Sequence, residues 1–94
     1  MIKLQAGNVL LKPSQRRQLM TWLKRSLRLG ERLGNFILTI RLHRSGRSVE
    51  ITADVQASHA TFGFRAKQND WRNAARELIR MLSHRLHDQQ MRLA

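Results

Sequence analysis

Eight residues near the middle of this chain constrain its fold more than any others: Val49-Glu50-Ile51-Thr52-Ala53-Asp54-Val55-Gln56. Val49, Ile51, Ala53 and Val55 are apolar, and the residues between them are polar. A period of two suits a strand with one dry face and one wet face, and it does not suit a helix. Two further runs behave similarly. In Phe36-Ile37-Leu38-Thr39-Ile40-Arg41-Leu42 every even position is apolar, and Thr61-Phe62-Gly63-Phe64-Arg65-Ala66 alternates again. His43-Arg44-Ser45-Gly46-Arg47 and Ala57-Ser58-His59 read as the turns between them. Two such short connections predict an antiparallel meander.

The flanking segments change period. Ile2-Lys3-Leu4-Gln5-Ala6 alternates and predicts a short first strand with Ile2, Leu4 and Ala6 inward, broken by Gly7-Asn8. Pro13 suits the first turn of a helix, where its missing N–H costs nothing, with Ser14 as a candidate cap. Leu19, Trp22, Leu23 and Leu27, continued to Gly30, then fall on one helical face, and Gly30 or Gly34 ends the helix. Asp70 is a good N-cap for a last helix. Trp71, Ala75, Leu78, Ile79, Leu82 and Leu86 form its apolar stripe, which runs to about Leu86 and frays from about residue 88. The order is β-α-β-β-β-α. With one apolar face per element, the economical fold is an α+β two-layer sandwich, a four-stranded mixed sheet with both helices on one face. A right-handed crossover would set the first two strands parallel. A chain of 94 residues has length for one such core, so residues 1–94 are read as a single domain.

The composition adds a second constraint. The chain has 18 Lys and Arg against 6 Asp and Glu, a net charge of +12, and 14 of the 18 are arginine. That excess opposes compaction and is the electrostatic footprint of a polyanion binder. Arginine's planar fork grips phosphate bidentately and stacks on bases, where lysine offers only a point charge. Arg72, Arg76 and Arg80 are spaced i, i+4, i+8 opposite the last apolar stripe, with Arg85 nearby. Like charges at that spacing weaken a helix by a few tenths of a kcal/mol per pair, and only Glu77 is placed to relieve them, through Arg76, Arg80 or Arg72. On the first helix Arg17, Lys24, Arg25, Arg28 and Arg32 lie off the stripe, offset only by Glu31. Antiparallel or crossed helices would merge the two rows into one basic surface, and Lys67 would extend it. Solvated helix faces ordinarily mix their signs, which these do not.

The wet sheet face carries Lys3, Gln5, Ile37, Thr39, Arg41, Glu50, Thr52, Asp54, Gln56, Thr61, Gly63 and Arg65, with no aromatic residue. RNA readers that use a sheet stack bases on exposed Phe or Tyr, so phosphate and sugar contacts from the helices fit this chain better. Signals for catalysis are weak. Cysteine is absent, which removes disulfides, thiolate zinc sites and cysteine nucleophiles. His84 and His87 are i, i+3 beside Asp88 but lack a third metal ligand, and they read as surface histidines near a helix C-terminus. His43 and His59 fall in turns, and no phosphate loop, dinucleotide fingerprint or nucleophile elbow occurs. Trp22 and Trp71 lie on apolar stripes and read as core anchors. The expectation is a protein that is not an enzyme, with no cofactor and no metal. No signal peptide is visible, and no apolar run approaches the length of a membrane span.

The order of elements resembles the ribosome hibernation-promoting factors, also called ribosome-associated inhibitors or ribosomal-subunit-interface proteins. Ser48-Val49-Glu50-Ile51-Thr52-Ala53 looks like that family's third strand, where a Val-Glu-Val-Thr-like run is typical. Asn69-Asp70-Trp71-Arg72-Asn73-Ala74-Ala75 looks like the acidic cap and small-residue start of its last helix. The resemblance spans essentially the whole chain and is to the short form, without the dimerisation domain of the long form. It implies a cytoplasmic protein that binds ribosomal RNA in the mRNA and tRNA cleft of the small subunit and silences translation in slow growth. Lys24, Arg25 and Arg28 match the basic stretch of the family's first helix, and Arg76, Arg80 and Arg85 match exposed positions of its last. The chain departs from the family at Arg72, where an aromatic is usual, and in replacing most helix acids with arginine. The candidate RNA-binding set is therefore Lys24, Arg25, Arg28, Arg32, Lys67, Arg72, Arg76, Arg80 and Arg85. Two alternatives remain, a double-stranded or structured RNA-binding domain acting away from the ribosome, and a basic module for an acidic protein partner. Neither a membrane nor a small-molecule substrate is expected.

Overall fold

The computed structural model describes residues 1–28, 34–58 and 60–93. Strand β1 (Ile2–Gln5) is followed by helix α1 (Pro13–Leu27), then by β2 (Phe36–Ser45), β3 (Ser48–Ala57) and β4 (Ala60–Gln68), and last by helix α2 (Trp71–Leu93). The sheet order is β1-β2-β3-β4, with β1 parallel to β2 and the other pairs antiparallel. Alternation fixes the register. Leu38, Ile40 and Leu42 stand across from Val55, Ala53 and Ile51, and all six are buried. Phe62, Phe64 and Ala66 share that face of β4. Leu19, Leu23 and Leu27 of α1 and Ala75, Leu78, Leu82 and Leu86 of α2 close over it, with Ile2, Leu4 and Ala6 at its margin. The fold is the α+β sandwich with both helices on one sheet face.

Topology sets the helix directions. Helix α1 must return between two parallel strands, and α2 folds back from β4, which points the same way as β2. The helices therefore run in the same direction, rather than antiparallel as their sequence allowed. Side chains agree: Trp22 meets Arg76, and Ser26, one turn on, shares a cleft with Arg80.

Helix ends depart from expectation in three places. The N-cap of α1 is Lys12, whose backbone N–H donates to Gln15 Oε1 at 2.9 Å, so Ser14 lies inside the helix. Pro13 does take the first helical position. The C-cap is Arg28 at φ 46°, whose N–H donates to the Lys24 carbonyl at 3.2 Å. The helix thus stops before either glycine, and Gly30 and His59 lie outside the described residues. The last helix runs to Leu93, past the Leu86 at which its apolar stripe ends. Asp70 caps it as expected, its Oδ1 accepting from Asn73 N–H at 2.8 Å.

The hairpin turn after β2 is also shorter than the sequence implied, because β2 runs through His43, Arg44 and Ser45. One device stabilises this extension. Beyond Gln5 the outer side of β2 has no strand partner, and the Asn8 side chain stands in for one. Its Nδ2 donates to the Arg44 carbonyl at 3.0 Å, and its Oδ1 accepts from Arg44 N–H at 2.7 Å. Gly7 makes the approach possible. It sits at φ 58°, and a Cβ there would stand 2.6 Å from the Leu42 carbonyl oxygen.

Candidate nucleic-acid interface

The buried side of α2 determines what its outer side presents. Ala74, Ala75, Leu78, Leu82 and Leu86 have at most 1% of their surface exposed, so the helix cannot rotate about its axis. Arg72, Arg76 and Arg80 then project as one exposed row. Two of them rest on aromatic rings. The Arg72 guanidinium lies 4.9 Å from the centroid of Trp71, and that of Arg76 lies 5.5 Å from Trp22 across the helix interface. A ring quadrupole holds a cation in place without neutralising it. Trp22 thereby does more than anchor the core, being half-buried beneath an arginine.

Glu77 does not relieve the row as the sequence suggested. Its Oε2 accepts instead from the side-chain amide of Gln68 at the end of β4. Among the described residues the ion pairs are Arg65 with Glu50 at 3.3 Å and His84 with Asp88 at 4.0 Å, and neither involves a cation of the row. Arg76 and Arg80 form a ridge between two hollows. The larger, about 510 Å³, lies between the helices and is lined by Ser26, Ser83, His84 and His87 as well as by the two arginines. The smaller, about 350 Å³, is completed by Gln68 and Glu77. The arrangement offers arginine charge at the crest and serine and histidine hydrogen-bonding groups in the cleft, which suits phosphate held beside ribose.

The remaining predicted positions divide. Lys24, Arg25 and Arg28 are exposed on and just after α1. Arg32 lies outside the described residues. Arg85 is not beside the row: it sits on the other flank of α2, 5.4 Å from the ring centroid of Phe62. Lys67 stands across from Glu50 with the parity of Arg65 and Gly63, which puts it on the open face of the sheet and not on the helix surface. The sequence reading missed the cleft residues Ser26 and Ser83 and set the histidines aside as surface groups. Ser83 and His87 follow Arg80 at i+3 and i+7, so the same helical spacing that revealed the arginines reaches them.

Among the described residues no group of three His, Cys, Asp or Glu is placed to hold a metal ion. No described helix is long and apolar enough to cross a membrane.

No protein-family model matches this chain. No curated protein sequence matches it either. Solved structures do. A ribosomal subunit interface protein from Coxiella burnetii superposes with a TM-score of 0.78 at 17% identity, over 96% of this chain and 97% of that one. The N-terminal domain of Thermus thermophilus Protein Y superposes with a TM-score of 0.75, also at 17% identity, over 89% and 91%. This chain shares their fold. At such identity the likeness resides in the element order, the mixed sheet and the two helices on one face.

Proposed function

We propose that this protein is a non-catalytic binder of structured ribosomal RNA, acting on the small ribosomal subunit and inhibiting translation by occupying the cleft used by mRNA and tRNA. The observation that carries the reading is the row of Arg72, Arg76 and Arg80, held outward by a buried stripe and forming no ion pair among the described residues, on the fold of a ribosomal subunit interface protein. Occlusion requires affinity and shape, and it needs no catalytic group and no cofactor. Lys24, Arg25 and Arg28 extend the surface along α1, and the cytoplasm is where such a target resides.

The experiment is sedimentation of lysates through sucrose gradients, with this chain detected in each fraction. Co-migration with small subunits or whole ribosomes at low salt, and release at high salt, is the expected result. Binding through six to ten phosphates would lose about 10³–10⁵ in affinity between 50 and 200 mM salt, because each contact releases counterions. Recovery only in the soluble top fractions under every growth condition would overturn the ribosomal assignment. A nuclease treatment that leaves a protein partner attached would favour the acidic-partner alternative.

A further inference from the structure

The open face of the sheet holds a feature that the helix surface does not use. Thr39, Asp54 and Gly63 stand side by side across β2, β3 and β4. Gly63 has no side chain, and a Cβ there would lie only 2.7 Å from Asp54 Oδ1 and 3.0 Å from the Ala53 carbonyl oxygen. Its absence lets the Asp54 carboxylate rest over β4 and leaves a pit of about 420 Å³. Lys3, Ile37, Arg41, Gln56 and Thr61 wall the pit. The other acid of this face, Glu50, is engaged by Arg65 at 3.3 Å, whereas Asp54 forms no ion pair among the described residues although Lys3 and Arg41 line the same pit.

We propose that this pit binds an unpaired guanine base. Guanine presents along one edge a carbonyl oxygen followed by two N–H donors. An ionised carboxylate is acceptor-only and takes both donors together. Gln56 follows Asp54 by two residues on the same strand face and supplies an amide N–H for the carbonyl oxygen. Adenine sets a ring-nitrogen acceptor against the carboxylate, and cytosine and uracil do not offer the paired donors, so the site rejects them by leaving polar groups unmatched. Ile37, 38% exposed, is an apolar ledge for the flat of the base, and Lys3 and Arg41 are within the pit to meet its phosphate. The pit has the volume of a small-ligand site, about 300–1,000 Å³. It reads a base edge, which needs no exposed aromatic ring. Such a base comes either from an RNA loop or from a free guanine nucleotide.

The test is a series of amide correlation spectra of the full chain titrated with GMP, IMP, AMP and inorganic phosphate. GMP is expected to shift the amides of Asp54, Gln56, Thr61 and Gly63 with a dissociation constant of about 1 mM, as suits a single base. IMP lacks the 2-amino group and is expected to bind about tenfold more weakly, with AMP weaker still. Asp54→Asn should abolish the preference of GMP over AMP, while the Arg76→Glu/Arg80→Glu double variant retains it. The second variant separates this pit from the helix surface. Equal shifts from AMP or phosphate, a guanine preference that survives Asp54→Asn, or no movement of these amides in large GMP excess would each overturn the proposal. A hairpin RNA with one loop guanine, compared with the same hairpin carrying adenine, distinguishes the sources. A guanine-over-adenine preference between the hairpins at least as large as that of GMP over AMP assigns the base to RNA, and equal binding of the two hairpins assigns it to the free nucleotide.

Discussion

The two layers of this molecule share one core but present different charge patterns to water. The helix layer exposes Arg72, Arg76 and Arg80 in a row, together with Lys24, Arg25 and Arg28, and Glu77 beside the row is turned toward an amide. The sheet layer exposes Lys3, Arg41, Arg65 and Lys67 interleaved with Glu50, Asp54 and several uncharged polar groups in register. Side chains on a helix splay outward, so a like-charged row there builds a field over a long stretch of surface. Side chains on one sheet face stand in a grid of close neighbours, where an acid between cations produces local pattern instead of field. The helix layer is thus suited to attract a polyanion, and the sheet layer to discriminate among small groups.

The largest effect expected is one that erases both layers together. Leu82 is wholly buried between α2 and the sheet, and Leu82→Ala should cost about 2–5 kcal/mol, read as a fall in thermal midpoint. Both surfaces should be lost in that single transition. The next effect separates them. Arg76→Glu/Arg80→Glu and Arg41→Glu/Arg65→Glu change the net charge equally. The helix pair should weaken ribosomal RNA binding by about 100-fold or more and flatten the salt slope by about two, while the sheet pair should cost less than about tenfold. Equal losses in a filter-binding titration would mean that only net charge matters, and the distinction between the layers would fail. Smaller again is Asp70→Ala, which removes the cap from Asn73 N–H where the arginine row begins. It should lower stability by about 1 kcal/mol, or about 4–8 °C in thermal midpoint, with the salt slope unchanged.

The sequence revealed different amounts of the two layers. Strand alternation is local, and Val49 through Gln56 declared its buried and wet sides without any knowledge of a partner strand. The helical stripe likewise announced which side of α2 faces inward. Three things were not local. The end of α1 at Leu27 depends on Arg28 adopting a left-handed conformation, which residue type disfavours and two nearby glycines obscured. The fate of Glu77 depends on Gln68 arriving from another element, so helix spacing alone assigned it to the wrong partners. Lys67 is a matter of parity along β4, and its nearness in sequence to α2 concealed that it belongs to the opposite face. The pit at Gly63 was the least accessible, since it exists only once β3 and β4 are paired in register.

The smallest effect tests the sheet layer alone. Glu50 and Arg65 sit diagonally across β3 and β4 with their charged groups 3.3 Å apart, and the Arg65 side chain is 70% exposed. An ion pair so open to water is screened and holds a long side chain at an entropic cost, so it contributes below about 0.5 kcal/mol. Glu50→Gln should therefore leave the thermal midpoint nearly unchanged. It should nonetheless release Arg65 and make the open face more positive. If that face bound phosphate in the manner of the helices, the variant would tighten ribosomal RNA binding and steepen its salt dependence. The expected result is that neither changes, measured in the same titration as the charge reversals, because the like-charged arginine row lies on the other side of the core.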